Sequence, residues 1–125
     1  MSLDIYAEEL VSHYEYPHNK GAMPQPSASK KEDNVSCGDV ITIYLKIEDG
    51  KVTDAMFDGA GCAISTASAS MLTDFLKGKK LDEIEQMGAH TIVKVLGVDP
   101  GLSRMHCATL PLRAAKEAVF EYERK

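Results

Sequence analysis

The sequence predicts a single domain of mixed α and β structure, a β-hairpin flanked by helices, and three observations carry that prediction. Val40 to Glu48 alternates, with Ile41, Ile43, Leu45 and Ile47 on one side and Thr42, Tyr44 and Lys46 on the other, the period of a half-buried strand. Asp49-Gly50 then signals a reversal, and Val52 to Phe57 returns. On both sides of this hairpin apolar residues recur at helical spacing. A chain of 125 residues with 44% apolar content suits one domain, residues 1–125, with a core of its own.

Asp4 to Tyr14 sets Ile5, Leu10 and Val11 near one helical face with acidic residues early, so a short helix is predicted there, ending before Pro17. From Pro17 to Val35 the composition shifts to Pro, Gly, Ser, Asn and Lys, which predicts a loop or mobile arm with at most a short edge strand. In the hairpin the buried face chooses the register. A two-residue loop, Asp49-Gly50, would set Ile41 against Asp58 and Leu45 against Asp54. A three-residue loop, Glu48-Asp49-Gly50 with Gly50 left-handed, sets Ile41 against Phe57 and Ile43 against Ala55 instead. Apolar then meets apolar, so the three-residue loop is the prediction. It places Cys37 opposite Gly61, with Cys62 its diagonal neighbour, and two thiols meet at the open end of the hairpin.

Gly59-Ala60-Gly61 permits a sharp turn into a helix from Cys62 to Lys77, closed by Gly78. Its small residues, among them Ala63, Ser65, Ala67 and Ala69, would let it approach the sheet closely, and Ile64, Met71, Leu72 and Phe75 form a core stripe. Two short helices follow, Leu81 to Met87 and Thr91 to Leu96, separated near Gly88. Asp99-Pro100-Gly101 breaks the chain. A last helix carries Leu112, Ala115, Val119 and Tyr122, and Pro111, tolerable only in a first turn, puts its start close to Cys107.

Composition excludes several classes of function. A formal charge of −5 with both signs interspersed, five Tyr and three Phe gives no basic patch for nucleic acid. No apolar stretch approaches ~18 residues, and the N-terminal residues lack a basic region followed by an apolar run and a cleavage site. A cytoplasmic chain without membrane contact is the expectation. An odd number of cysteines, three, then argues against a disulfide framework and for reactive or metal-bound thiols.

The chemistry gathers on few residues. Ser36-Cys37-Gly38-Asp39 is a tight turn with a thiol and a carboxylate two residues apart, and Cys62 and Cys107 each stand where a turn feeds a helix. Unpaired N–H groups and the positive end of the helix dipole favour a thiolate there, a better ligand and nucleophile than a thiol. Thiolates select zinc and the irons of iron–sulfur clusters, while a carboxylate or imidazole in the fourth place weakens the grip. Asp39 is either such a ligand or a cap for the Gly38 turn; His106 is either a ligand or a hydrogen-bonded residue at a helix start. Arg104 either solvates a loop or stabilises thiolate charge. His13, His18 and His90 read as surface or locally bonded histidines.

Ser36-Cys37-Gly38-Asp39, then Gly59-Ala60-Gly61-Cys62-Ala63-Ile64-Ser65, then Arg104-Met105-His106-Cys107-Ala108 resemble the IscU and NifU N-terminal family of iron–sulfur cluster assembly scaffolds. The likeness includes Tyr6 to His13 and spans nearly the whole chain. It implies an α/β sandwich, a small, largely antiparallel three-stranded sheet packed with helices, with the metal site at one end. It also implies transient assembly of a [2Fe–2S] cluster on Cys37, Cys62 and Cys107, completed by Asp39 or His106, with Zn2+ competing for the same place. Sulfur would come from a cysteine desulfurase as a persulfide on Cys107, the cluster would pass to recipient apoproteins, and Asp39 would confer lability and release.

Two departures matter. Asp99 to Met105 lacks the Leu-Pro-Pro-Val-Lys segment that the bacterial IscU branch offers to its dedicated Hsp70 chaperone, which counts against that partner. The zinc-dependent SufU branch is similar in the Ala67-Ser68-Ala69-Ser70 run and in Arg104, but carries an insertion absent here and lacks a histidine like His106. The expected function is therefore a scaffold, not a turnover enzyme, and the alternative is a SufU-like sulfurtransferase; His106 favours the first. A purely structural zinc site is disfavoured by Asp39, since closed zinc sites usually use Cys and His.

Overall fold

The computed structural model describes residues 2–34 and 38–124, with side chains from residue 8 onward. Its elements run α1 (Ser2–Glu15), β1 (Ala28–Asn34), β2 (Asp39–Glu48), β3 (Lys51–Ala60), α2 (Ala63–Leu76), α3 (Leu81–Glu85), α4 (Ala89–Leu96), a 3₁₀ turn (Leu102–Arg104) and α5 (Met105–Glu123). The three strands form one sheet in the order β1-β2-β3, antiparallel throughout. Helix α5 packs on β1 and β2, α2 packs on β3 and on α5, and α1 packs on α2. The α+β architecture expected from the sequence is thus present.

The core lies between the inner face of the sheet and these helices. Ile41, Ile43, Leu45, Val52, Ala55 and Phe57 from the sheet meet Leu72, Leu76, Leu110, Ala114 and Ala118, all excluded from solvent. Small residues bring α2 in close: Ala67, Ser68 and Ala69 are fully buried, and Ser68 Oγ donates to the Ala108 carbonyl of α5 at 2.6 Å. The stripe expected from Ile64 to Phe75 is only partly the core face. Leu72 and Met71 are buried and Ile64 is half-buried, but Phe75 is 37% exposed, its ring covered by the Lys79 ammonium at 4.4 Å. On α1, Leu10 packs on the core while Val11 is half exposed.

The hairpin corrects the expected register. The loop has two residues, Asp49 and Gly50, both at positive φ (54° and 74°), a turn whose twist matches that of the strands. Next to it Glu48 pairs with Lys51 and Ile47 with Val52; beyond an irregularity between Lys46 and Ile47, Lys46 pairs with Asp54, Leu45 with Ala55, Ile43 with Phe57 and Ile41 with Gly59. Thr53 is the surplus residue of a β-bulge, and Thr53 and Asp54 both face solvent while Val52 and Ala55 are buried. The bulge lets the two-residue turn coexist with an apolar row facing an apolar row. The three-residue loop would have met the same burial requirement with different partners.

Residues 17–34 are more ordered than the expected arm. Phe57 N–H donates to the Asn19 carbonyl at 2.9 Å and Gly21 N–H to the Phe57 carbonyl at 2.7 Å, which covers the free edge of β3, and Met23 is buried. Strand β1 runs for seven residues along β2, from Ala28 opposite Leu45 to Asn34 opposite Asp39. It lacks apolar alternation because charge holds it. Lys30 pairs with Glu121 at 2.7 Å, and Arg113 of α5 reaches Glu32 at 3.2 Å and the Asp33 carbonyl at 3.0 Å.

The last helix starts two residues earlier than expected, at Met105. Pro111 therefore sits in its second turn, buried, where it has no N–H to offer the carbonyl of Cys107 four residues back. No helix among the described residues is long and apolar enough to cross a membrane.

Candidate metal centre

Three elements deliver one donor each to a single point. Asp39 opens β2 in the same inward row as Ile41 and Ile43 and is 2% exposed, a carboxylate held on the core face of a strand. Cys62 is the extended residue that precedes α2, and Cys107 lies in the first turn of α5 with 3% exposure. One carboxylate oxygen of Asp39 and the sulfurs of Cys62 and Cys107 all lie within 4.8 Å of one another.

The local sequence explains the approach. With Val40 opposite Ala60, β3 ends beside Asp39, and the Cys62 N–H donates to Asp39 Oδ1 at 2.8 Å. Gly59 (φ 128°) lies so close to β2 that a Cβ there would overlap the Val40 carbonyl oxygen. At Gly61 a Cβ would fall 2.2 Å from Ser65 Oγ and 3.2 Å from Asp39 Oδ1. Only glycine fits. Ser65, fully buried, donates through Oγ to the Cys62 carbonyl at 3.1 Å and stands 3.7 Å from Cys62 Sγ, so it fixes the start of α2 and its thiol together.

Asp39 Oδ2 is buried and has no hydrogen-bond partner among the described residues. An unpaired buried carboxylate oxygen is costly unless a cation, a proton or a hydrogen-bond donor reaches it. Two sulfurs and one carboxylate therefore fit a borderline or soft metal, with Oδ1 orienting the ligand and Oδ2 left to bind.

Of the residues singled out by sequence, Asp39, Cys62 and Cys107 come together. Cys37 lies outside the described residues. His106 is exposed on the first turn of α5 and does not join the group within 4.8 Å; Arg104 is exposed just before that helix. Ser65 and Gly61 are the neighbouring residues that the sequence undervalues, read there as a small helix residue and part of a sharp turn. Their signal was present in the run from Gly59 to Ser65.

The NifU-like N-terminal domain matches residues 5–125. The chain belongs to that family. It is 32% identical over 121 residues to an iron–sulfur cluster assembly scaffold protein IscU of Archaeoglobus fulgidus, covering 97% of this chain and 78% of the relative. With the IscU scaffold protein of Escherichia coli it shares 34% identity over 124 residues, 96% of this chain and 95% of the relative. The structure of a NifU-like N-terminal protein from Brucella abortus superposes with a TM-score of 0.81 over 100% of this chain and 99% of that one, at 23% identity, a likeness of fold.

Proposed function

We propose that this NifU-like domain is a scaffold on which a [2Fe–2S] cluster is assembled from iron and desulfurase-derived sulfur and then passed to recipient apoproteins. The single observation that carries the reading is the buried, half-unpaired Asp39 carboxylate facing Cys62 and Cys107. Two sulfurs suit the irons of a cluster, and a carboxylate beside them makes a weaker bond that can be undone. Cys37, two residues before Asp39, supplies the third sulfur. His106, exposed beside Cys107, is the donor at hand when Asp39 lets go. The scaffold names of the curated relatives support the same reading, and the sulfurtransferase alternative is not favoured.

We infer that Cys107, in the first turn of α5, takes the sulfur-accepting step. Its thiolate attacks the outer sulfur of the desulfurase persulfide; the S–S bond of that persulfide breaks, the desulfurase thiolate leaves, and the sulfur remains on Cys107. Reduction of that sulfur to sulfide takes two electrons from a separate donor. Because Cys107 is 3% exposed, transfer requires the segment before it to move, and Asp99 to Arg104 is mostly exposed and contains Gly101 at φ 87°. Zinc competes for the same donors.

Anaerobic incubation with ferrous iron, cysteine and a cysteine desulfurase tests the reading. A coloured protein with visible charge-transfer bands that fade as an apoprotein is loaded is the expected result. A colourless product holding one tightly bound zinc per chain would overturn it.

A further inference from the structure

A second set of donors lies at the other end of α2. Asp74 is in the last turn of that helix, His13 in the last turn of α1, and His18 just beyond Pro17. One donor atom from each of the three lies within 4.8 Å of the others. Twelve residues of helix separate Asp74 from Cys62, about 18 Å at 1.5 Å per residue, so the two sets cannot share an ion.

Hydrogen bonds orient these side chains. Ser70, one turn before Asp74, places Oγ 2.6 Å from His13 Nδ1 and accepts the His18 N–H at 2.7 Å. Asn19 Nδ2 donates to Asp74 Oδ1 at 2.9 Å, while Asp74 Oδ2 meets His18 Nδ1 at 2.6 Å. The two imidazoles lie with centroids 4.4 Å apart. Ser70 thus engages one ring nitrogen of His13 and leaves the other for an ion, and Asn19 steadies the carboxylate as outer partners steady ligands in metal sites. Zinc bonds of 2.0–2.2 Å place tetrahedral donors about 3.3 Å apart, so closing the set asks for side-chain rotations. Side-chain exposures of 56% for His18 and 42% for Asp74 leave room for them.

The surroundings are open on one side. His13 and Asp74 line a groove of about 550 Å³ whose far wall includes Thr91, Lys94 and Val95. A metal held there would have three protein donors and a fourth position facing the groove, the arrangement of zinc sites that keep an exchangeable ligand.

We propose that His13, His18 and Asp74 form a second divalent-cation site of the zinc class, separate from the cysteine centre, with one coordination position open to the groove beside α4. Two imidazoles and a carboxylate are a harder donor set than two thiolates and a carboxylate, so this site takes zinc or a similar ion and is not a second place for a cluster.

Equilibrium dialysis of the full chain against zinc tests it. Two zinc ions per chain are expected in the unaltered protein. One should remain in a Cys37→Ser/Cys62→Ser/Cys107→Ser variant, and His18→Ala or Asp74→Asn should weaken the remaining site at least tenfold. Asp74→Asn keeps an oxygen to accept from Asn19 and sets an NH2 group that can donate to His18 Nδ1, which guards against loss of fold. Histidine ring 15N resonances give a direct check, because zinc should shift those of His13 and His18 in the cysteine-free variant. A single zinc in the unaltered protein, a cysteine-free variant that binds none, or a second zinc with unmoved histidine rings would each overturn the proposal and leave the cluster as a hydrogen-bonded latch between α1 and α2.

Discussion

Asp39 and Cys62 are joined by one hydrogen bond, the Cys62 N–H donating to Asp39 Oδ1 at 2.8 Å, and that bond leaves Oδ2 of the same carboxylate buried without a partner among the described residues. One oxygen fixes the entry to α2, and an oxygen of the same carboxylate lies within 4.8 Å of the Cys62 and Cys107 sulfurs. Left without a partner, Oδ2 costs the fold stability, and under the scaffold reading proposed above it is the one that a metal would take up.

Asp39→Asn separates these two roles. The amide oxygen still accepts from Cys62, and a neutral group replaces the unpaired oxygen. Metal-free protein should gain about 1 kcal/mol in chemical denaturation, while zinc affinity falls at least tenfold. A variant less stable than the parent in chelator would contradict this assignment. Asp39→Ala, with no ligand atom at all, should retain its visible bands longer when an apoprotein is added.

Gly61→Ala probes the closeness of the turn. Its Cβ would collide with Ser65 Oγ and crowd Asp39, so thermal unfolding should show a loss of about 1–3 kcal/mol together with weaker metal binding. Adding Ser65→Ala removes the atom it strikes and should restore most of the stability. No rescue in the double variant would mean that the penalty comes from the backbone.

Acid should weaken the fold in two stages. Burial and then the neighbouring His18 ring hold the His13 pKa below its usual 6.5, so the native state prefers neutral imidazole. This contribution is complete above pH 6.5 and is lost as pH falls through the depressed value. Asp74 behaves likewise further down: burial alone would raise its pKa, but hydrogen bonds from Asn19 and His18 bring it below 3.8, and its contribution is lost as pH falls past that region. In denaturation curves taken in chelator from pH 8 to pH 3, His13→Asn should flatten the first stage and leave the second.

Arg113→Ala should loosen β1 more than it lowers global stability. The ion pair with Glu32 is partly exposed and worth no more than about 1 kcal/mol, but the same guanidinium also holds the Asp33 carbonyl. Amide exchange across Ala28 to Asn34 is expected to quicken while the denaturation midpoint shifts little. Unchanged exchange would show that pairing with β2 alone fixes the strand.

What was legible in the sequence follows the range of the forces involved. Asp39 was marked out by the thiol two residues before it, and Cys62 and Cys107 by the turns before them; that Asp39 stands in phase with Ile41, Ile43 and Leu45 on the inward face is shown by the fold. The helices were legible because their apolar spacing is local. Strand β1 was legible only as at most a short edge strand, because its inward residues Lys30 and Glu32 are satisfied by Glu121 and Arg113, which lie 91 and 81 residues away in the chain. The bulge was not legible, since Thr53-Asp54 breaks the alternation with nothing to tell a bulge from a longer loop. His18 is superficial as read, but His13 is half-buried and neither ring is locally bonded: their partners Ser70 and Asp74 lie more than fifty residues on, and only folding shows that they converge.

Thr53 can be viewed as the one spare link of the hairpin. Remove it, and Val52, Asp54 and Ala55 fall into regular alternation with Leu45 still opposite Ala55. Drop any residue from Ala55 to Gly61 instead, and inside becomes outside for everything beyond, carrying Cys62 away from Asp39. Tolerance for a change of length is thus stored next to the tight turn, at the far end of the strand pair from Asp39 and Cys62, and the end beside those two residues has none.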